Sequence, residues 1–148
     1  MFTVQRYHDI SCGHRVTGHE GKCSHLHGHN YRITFTCQMQ STDPLAQVDH
    51  LGRVIDFGVI KKKLCDWLEE HWDHKFLLWV RDEFQENLVA IDPDGVYLVS
   101  FNPTAENMAQ HLVETVGPAQ LKDTGVTLIE AKVEETRKCS ATFRREKL

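Results

Sequence analysis

The stretch Cys23-Ser24-His25-Leu26-His27-Gly28-His29-Asn30-Tyr31 places one thiol and three imidazoles within nine residues. Immediately after it, apolar and polar residues alternate strictly, which predicts a β-strand with one buried face over residues 30–40. If that strand runs back through the glycine, His27 and His29 project from the same face, because side chains at positions i and i+2 share a face. The two imidazoles can then bind one metal ion.

A metal site on these two histidines needs further ligands. Zinc held by three histidines with an open fourth position is typical of catalytic sites, whereas structural sites have four protein ligands. His14 is the favoured third ligand, because it can approach from a neighbouring strand; His19 and His25 are the alternatives. A single histidine is more often an ordinary surface or core residue, but the His27–His29 pair beside Cys23 favours zinc.

The thiol of Cys23 admits two interpretations. It closes the zinc site as a fourth ligand, or it is a free nucleophile or base beside the metal. Positive charge from Lys22, zinc or a protonated histidine would favour the reactive thiolate. The other four cysteines show no Cys-x-x-Cys spacing, which indicates reduced residues in a cytoplasmic protein.

Composition predicts a single domain spanning residues 1–148. The chain shows no linker-like stretch, no secretion signal and no run long enough to cross a membrane. Three lysines at 61–63 form a solvated helix face rather than a nucleic-acid site, because the net charge is −4 and no aromatic residue interleaves them. We therefore expect no nucleic-acid or membrane partner.

The remaining patterns predict an α+β fold, with an antiparallel four-stranded sheet and two helices on one face. The other strands are expected at residues 3–15, 126–133 and 140–145, with a short one at 96–101 after the turn Asp92-Pro93-Asp94-Gly95. One helix begins after Asp56 as N-cap, and the other begins after Thr104 and ends at Gly117-Pro118. Between the helices, Asp73-His74 is either an ordinary helix terminus or a pair for proton transfer.

The pattern of His14 followed by Cys23-x3-His27-Gly28-His29 resembles the superfamily of 6-pyruvoyl-tetrahydropterin synthase and 6-carboxytetrahydropterin synthase. Further landmarks agree along nearly the whole chain: Val54-Ile55-Asp56-Phe57, Asp73-His74, Phe76-Leu77, Asn102-Pro103-Thr104-Ala105-Glu106-Asn107 and Glu135-Thr136.

The resemblance implies the tunnelling fold, in which sheets from several subunits join into a barrel. It implies a homo-oligomer, expected to be a hexamer, with active sites at subunit interfaces. It also implies zinc on His14, His27 and His29, with catalysis by Cys23 and by an Asp73–His74 pair that arrives from a neighbouring subunit. The positions implied to bind the pterin triphosphate substrate are Glu135, Thr104 and Glu106.

The alternation of side chains along the last-but-one strand also points to Glu135 as a binding residue, without use of the resemblance. It falls in line with Ala131 and Val133, and therefore faces the apolar side, where a carboxylate needs a partner. A pterin offers two N–H groups that a carboxylate accepts together. The alternative is an ion pair with Arg137 or Arg144.

The spacing of three residues between Cys23 and His27 favours the carboxytetrahydropterin branch of the superfamily. That branch converts 7,8-dihydroneopterin triphosphate to 6-carboxy-5,6,7,8-tetrahydropterin, acetaldehyde and triphosphate, toward queuosine. The alternatives are a 6-pyruvoyl-tetrahydropterin synthase and a zinc-stabilised, non-catalytic binding module. Extra residues between Leu77 and Asn102, beginning around Trp79-Val80-Arg81-Asp82-Glu83, have no explanation from the resemblance.

Overall fold

A computed structural model describes residues 1–41 and 43–146. The expected domain of 1–148 thus includes three positions, Thr42, Lys147 and Leu148, that lie outside the described residues. The strands are β1 (Val4–His14), β2 (His27–Met39), β3 (Phe76–Trp79), β4 (Val96–Val99), β5 (Val126–Glu134) and β6 (Ser140–Arg144). The helices are α1 (57–71), α2 (Gln85–Ile91) and α3 (105–120), with a short 3-10 turn at Lys22–Ser24.

Strand β2 lies at the centre of the fold, as its alternation predicts. Tyr31, Ile33 and Phe35 on its inner face are completely buried. The strand begins at His27, so it runs back through Gly28 and carries both histidines. The predicted parity of the His-x-His pair is therefore confirmed.

The sheet has six strands in the order β4-β3-β1-β2-β5-β6, which corrects the prediction of four antiparallel strands. Pairings among β1, β2, β5 and β6 are antiparallel, whereas β3 and β4 add to the edge of β1 in parallel. The sequence of β3, Phe76-Leu77-Leu78-Trp79, is a short continuous apolar run without alternation. Such a run does not distinguish a buried strand from other buried segments.

Helices α1 and α3 pack on the inner face of the sheet, where Leu64 and Leu112 join the same buried cluster as Ile33. Both predicted N-caps are confirmed: Asp56 accepts the N–H of Gly58 at 2.7 Å, and Thr104 accepts that of Asn107 at 3.2 Å. Each helix contains a π-helical stretch, at Lys61–Cys65 and at Leu112–Val116. None of the helices among the described residues combines the length and apolarity needed to cross a membrane.

Helix α3 does not end at Gly117-Pro118 as predicted, but continues to Gln120. The π-helical stretch shifts the hydrogen-bond partner by one residue, so Pro118 would pair with the carbonyl of Val113 if it had an N–H. That carbonyl accepts Nη2 of Arg145 at 3.4 Å instead. The helix thus passes through a proline without leaving this acceptor unpaired.

Candidate metal centre and active site

Three histidines converge where β1 and β2 meet. His14 is the last residue of β1 and His27 the first of β2, and the two face each other across the antiparallel pair. Their Nε2 atoms lie 3.1 Å apart, and His14 is almost completely buried, with 1% of its surface exposed. His29 lies two residues further along β2, with its ring centroid 5.0 Å from that of His27.

A pair of glycines separates these ligands along the two strands. Gly13 lies opposite Gly28 in the register. A Cβ atom on Gly28 would lie 2.8 Å from the carbonyl oxygen of Cys12 and 3.2 Å from Cα of Gly13. Backbones this close leave no room for a side chain at Gly28. The glycine therefore allows the two strands to approach each other at this point.

Backbone carbonyls orient two of the three imidazoles. Nδ1 of His14 lies 2.7 Å from the carbonyl oxygen of Pro103, and Nδ1 of His27 lies 2.7 Å from that of His25. A carbonyl only accepts, so each Nδ1 carries the proton and each Nε2 presents a lone pair. Metal-binding histidines are oriented by partners of this kind.

Glu135 completes the cluster, just beyond the end of β5. Its Oε1 lies 2.7 Å from Nε2 of His29 and 3.6 Å from Nε2 of His14. One ligand atom from each of His14, His27, His29 and Glu135 falls within 4.8 Å of the others. Glu135 thus faces the histidine side, while Arg144, its predicted alternative partner, pairs with Glu130 at 2.7 Å.

These residues fit a bound metal ion. Nε2 of His29 is buried and has no aligned hydrogen-bond partner, although the Glu135 carboxylate lies beside it. A buried nitrogen without a hydrogen bond is costly, and a metal bound at its lone pair would satisfy it. Three imidazole nitrogens and one carboxylate match the ligands that zinc takes in proteins.

Electrostatics favour the ligand-competent protonation states. Burial lowers the pKa of His29, and the neighbouring His14 and His27 lower it further, against the opposing effect of Glu135. The pKa of Glu135 is lowered by its contact with His14, which outweighs burial, and further by the neighbouring His29 and His27. A neutral imidazole beside an ionised carboxylate is the state that binds a divalent cation.

The other candidate ligands lie outside this cluster. Nδ1 of His19 accepts the N–H of Gly21 at 2.8 Å, and the side chain of His25 is exposed. The half-buried Cys23 sits in the 3-10 turn, where its carbonyl accepts the N–H of Val16 at 2.8 Å. Among the described residues, the group able to hold a metal contains His14 and does not contain Cys23.

Asp73 and His74 form a hydrogen-bonded pair after α1. Nδ1 of His74 lies 2.7 Å from Oδ2 of Asp73, and Oδ1 of Asp73 accepts the N–H of Ser11 at 2.9 Å. His74 adopts a left-handed backbone with φ of 56°, which turns its ring back toward the preceding carboxylate. The imidazole itself is 81% exposed.

This pair lies on the opposite face of the sheet from the metal cluster. Ser11 pairs with Asn30 across β1 and β2, and the next pair in the register is Cys12 with His29. Consecutive pairs lie on opposite faces of the sheet. Strand alternation therefore points Ser11 and Asn30 away from the core. An open groove of about 790 Å³ on that face is lined by Ser11, Asn30, Arg32, Asp73, His74 and Arg137.

The two remaining predicted substrate contacts lie at the start of α3. The Thr104 hydroxyl caps the helix, and Glu106 is exposed in its first turn. Pro103, directly before them, binds His14.

Two features of the site have no signal in the sequence. The Tyr31 hydroxyl lies 3.2 Å from Nδ1 of His14, completely buried, and burial followed by the charge of Glu135 raises its pKa. The second feature is the carbonyl of Pro103, because a backbone acceptor carries no residue type. Only the fold identifies either partner.

Sequence comparisons identify the family. Residues 3–146 match the family described as 6-pyruvoyl tetrahydropterin synthase. Proteins named 6-carboxy-5,6,7,8-tetrahydropterin synthase from Rickettsia bellii and Rickettsia typhi are 34% and 35% identical over 140 residues, which cover 94% of this chain and 97% of each relative.

Two solved structures share the fold. An uncharacterized protein from Wolinella succinogenes has a TM-score of 0.79 at 21% identity, over 98% of each chain. The 6-pyruvoyl tetrahydropterin synthase of Caenorhabditis elegans has a TM-score of 0.65 at 22% identity, over 98% of this chain and 96% of that one. With the match across residues 3–146 and relatives a third identical over almost their whole length, this chain belongs to the 6-pyruvoyl tetrahydropterin synthase family.

Proposed function

We propose that this chain is a zinc-dependent 6-carboxy-5,6,7,8-tetrahydropterin synthase. Its substrate is 7,8-dihydroneopterin triphosphate, and its products are 6-carboxytetrahydropterin, acetaldehyde and triphosphate, in the route to queuosine. The observation that carries the proposal is the convergence of three imidazole nitrogens and a carboxylate in a chain whose relatives bear this name.

In this proposal, His14, His27 and His29 hold the zinc ion, and Glu135 stays available to the substrate. Bound zinc would supply Lewis-acid polarisation of the hydroxyls on the substrate side chain. The lowered pKa of Glu135 keeps its carboxylate ionised, so that it accepts the N–H groups of a pterin ring. Thr104 and Glu106 contact the pterin from the start of α3, next to the Pro103 carbonyl that orients His14.

In this proposal, Cys23 and His74 carry out the proton transfers. Cys23, as thiolate, removes a proton from the substrate side chain, and His74 returns protons to the developing product. Asp73 fixes His74 by the 2.7 Å hydrogen bond at Nδ1, which leaves Nε2 of His74 to exchange protons with the substrate.

The location of Asp73–His74 supports an active site shared between subunits. Within one chain, the pair faces away from the metal cluster, so it is better placed to serve the cluster of an adjacent copy. We propose a homohexamer that closes its sheets into a barrel, with each site built from a metal cluster of one subunit and an Asp73–His74 pair of its neighbour.

Product analysis tests the proposal. The purified chain, loaded with zinc, is incubated with 7,8-dihydroneopterin triphosphate, and the products are identified by mass spectrometry. We expect 6-carboxytetrahydropterin together with acetaldehyde. A 6-pyruvoyl product would instead assign the other branch of the family, and unchanged substrate with zinc bound would favour the non-catalytic module.

A further inference from the structure

The segment that the family resemblance leaves unexplained carries a buried carboxylate. Asp82 lies in the turn after β3, where its side chain is completely buried. Its Oδ2 accepts Nε of Arg15 at 2.7 Å and also the hydroxyl of Thr17. Its Oδ1 accepts the N–H of Phe84 at 2.8 Å.

The guanidinium on the other side of this ion pair is also enclosed. Arg15 has 5% of its surface exposed, and its Cζ lies 3.9 Å from the centroid of the Phe84 ring. Its Nη2 donates to Glu83 at 3.2 Å, at the edge of the cluster, where the Glu83 side chain is 74% exposed. A buried ion pair with this many hydrogen bonds specifies one arrangement of the two segments that it joins.

The segment held by Asp82 adjoins the metal cluster. Arg15 directly follows His14, and the next residue, Val16, donates its N–H to the carbonyl of Cys23 at 2.8 Å. Residues 15–17 therefore link a metal ligand on one side to the turn that carries the thiol on the other.

A second contact closes the link. The side-chain amide of Asn102 pairs with the backbone of Thr17 through two hydrogen bonds of 2.9 Å. The following residue, Pro103, accepts Nδ1 of His14. Thr17 is thus held by Asp82 and by the same loop that orients the His14 ring.

We propose that Asp82 is a positioning residue, through which the turn after β3 fixes residues 15–17 and thereby sets both the His14 ligand and the Cys23 turn. Asp82 itself touches neither metal nor substrate. The inference rests on the metal centre of the proposed function, and it adds a function for a residue between Leu77 and Asn102, the segment that the resemblance leaves unexplained.

Zinc affinity tests this role separately from catalysis. Affinity of the folded protein for zinc is measured by competition with a chromogenic chelator, in wild type and in Asp82→Asn, well below the unfolding temperature. We expect affinity to fall by about tenfold, the lower end of the effect of losing a residue that orients metal ligands. Alkylation of Cys23 should also become several times faster, because the Val16–Cys23 contact loosens.

Two further variants complete the test. Glu83→Gln removes the exposed carboxylate on the same guanidinium and should leave zinc affinity unchanged. Thr17→Val deletes one hydroxyl contact to Asp82 and retains the ion pair, so it should weaken zinc binding by a smaller factor than Asp82→Asn. It replaces Asp82→Asn in the test if that variant does not fold.

The outcomes separate the two proposals. Wild-type zinc affinity and Cys23 reactivity in folded Asp82→Asn, with only a lower unfolding temperature, would show a purely structural ion pair and overturn the inference. The same result in Thr17→Val would overturn it if the first variant is unfolded. If the wild type binds zinc but makes no carboxytetrahydropterin, the proposed reaction fails, while the affinity comparison still decides the function of Asp82.

Discussion

His14 and His27 face each other across the β1–β2 pair with their Nε2 atoms 3.1 Å apart. Two imidazole nitrogens at this distance, each presenting a lone pair, could bind one zinc ion together, because the two bonds of about 2.0–2.1 Å would span a similar separation. The end of one strand and the start of the next therefore supply two of the four residues of the candidate metal centre.

Removing a histidine should abolish this centre. We expect His29→Ala to lose bound zinc, because the substitution deletes one of the predicted ligands, the buried Nε2 that has no hydrogen-bond partner. Elemental analysis of the purified variant measures the zinc content. His19→Ala is the matched control and should retain full zinc, since His19 lies outside the cluster. If His29→Ala keeps as much zinc as His19→Ala, the predicted zinc site is wrong.

Replacing the thiol should separate catalysis from metal binding. We expect Cys23→Ala to retain zinc and fold, but to lose turnover by about two to four orders of magnitude, as for a proton-transferring group. Cys23→Ser should be nearly as slow, because a hydroxyl is a much weaker acid than a thiol. Loss of zinc from Cys23→Ala would assign the thiol to a closed structural site, and full activity would exclude it from the mechanism.

Mixed oligomers test whether sites are shared. Cys23→Ala and His74→Ala chains, each inactive alone, are expected to regain activity when co-assembled, with about a quarter of the sites intact if mixing is random. The control pairs His74→Ala with Asp73→Asn, which alter the same pair and therefore cannot complement each other. Absence of any recovery in verified mixed oligomers would place all catalytic residues of a site in one subunit.

Thiol labelling should follow burial. Burial raises the pKa of both Cys12 and Cys37 to about 12, so that almost none of either is thiolate at neutral pH. With iodoacetamide at pH 8, we expect the folded chain to be modified at the exposed Cys139 and the half-buried Cys23, and at Cys12 and Cys37 only after unfolding. Peptide mapping gives the sites, and rapid native labelling of Cys37 would contradict the packing of β2.

Acid should weaken the fold partly through Asp82. Burial would raise its pKa, but hydrogen bonds from Thr17, the Phe84 N–H and Arg15 outweigh burial and lower it. A lowered folded-state pKa contributes stability above the unfolded value of about 3.9, and that stability is lost as the pH falls through the folded value. Asp82→Asn should cost about 3 kcal/mol at pH 7, as expected for breaking a buried pair.

The measurement is urea unfolding from pH 7 to pH 2, in wild type and Asp82→Asn. The difference in unfolding free energy between the two should begin to shrink below about pH 4, where the unfolded chain takes up the proton, and should be lost as the pH falls through the lowered pKa of the folded carboxylate. A difference that stays constant down to the lowest pH would show that the ionised form contributes nothing.

Several parts of the fold and site follow from local patterns in the sequence. The alternation after Tyr31 determines which face of β2 is buried, and the same parity turns Glu135 toward the histidines. The N-caps at Asp56 and Thr104 depend on short-range hydrogen bonds, which residue type predicts well.

Other parts depend on contacts between distant residues. Arg15 and Asp82 are 67 positions apart, and nothing in either local sequence identifies the partner. Strand β3 is the one that the sequence did not predict, because a four-residue apolar run gains strand structure only from pairing with its neighbours β1 and β4. The short strand expected at 96–101 is confirmed as β4, but its place beside β3 in the same sheet raises the strand count from four to six. The π-helical stretch and Arg145 likewise carry α3 through Pro118, against the usual rule.

The glycine between the two β2 histidines has a consequence for coordination. Because its Cα lies against the backbone of β1, it fixes how far His27 stands from His14, and so sets the bite of the ligand pair. A residue without a donor atom thus helps to set the distance between two candidate metal ligands. In Gly28→Ala the two strands would have to move apart, and the spacing of His14 and His27 would change although neither histidine had been replaced.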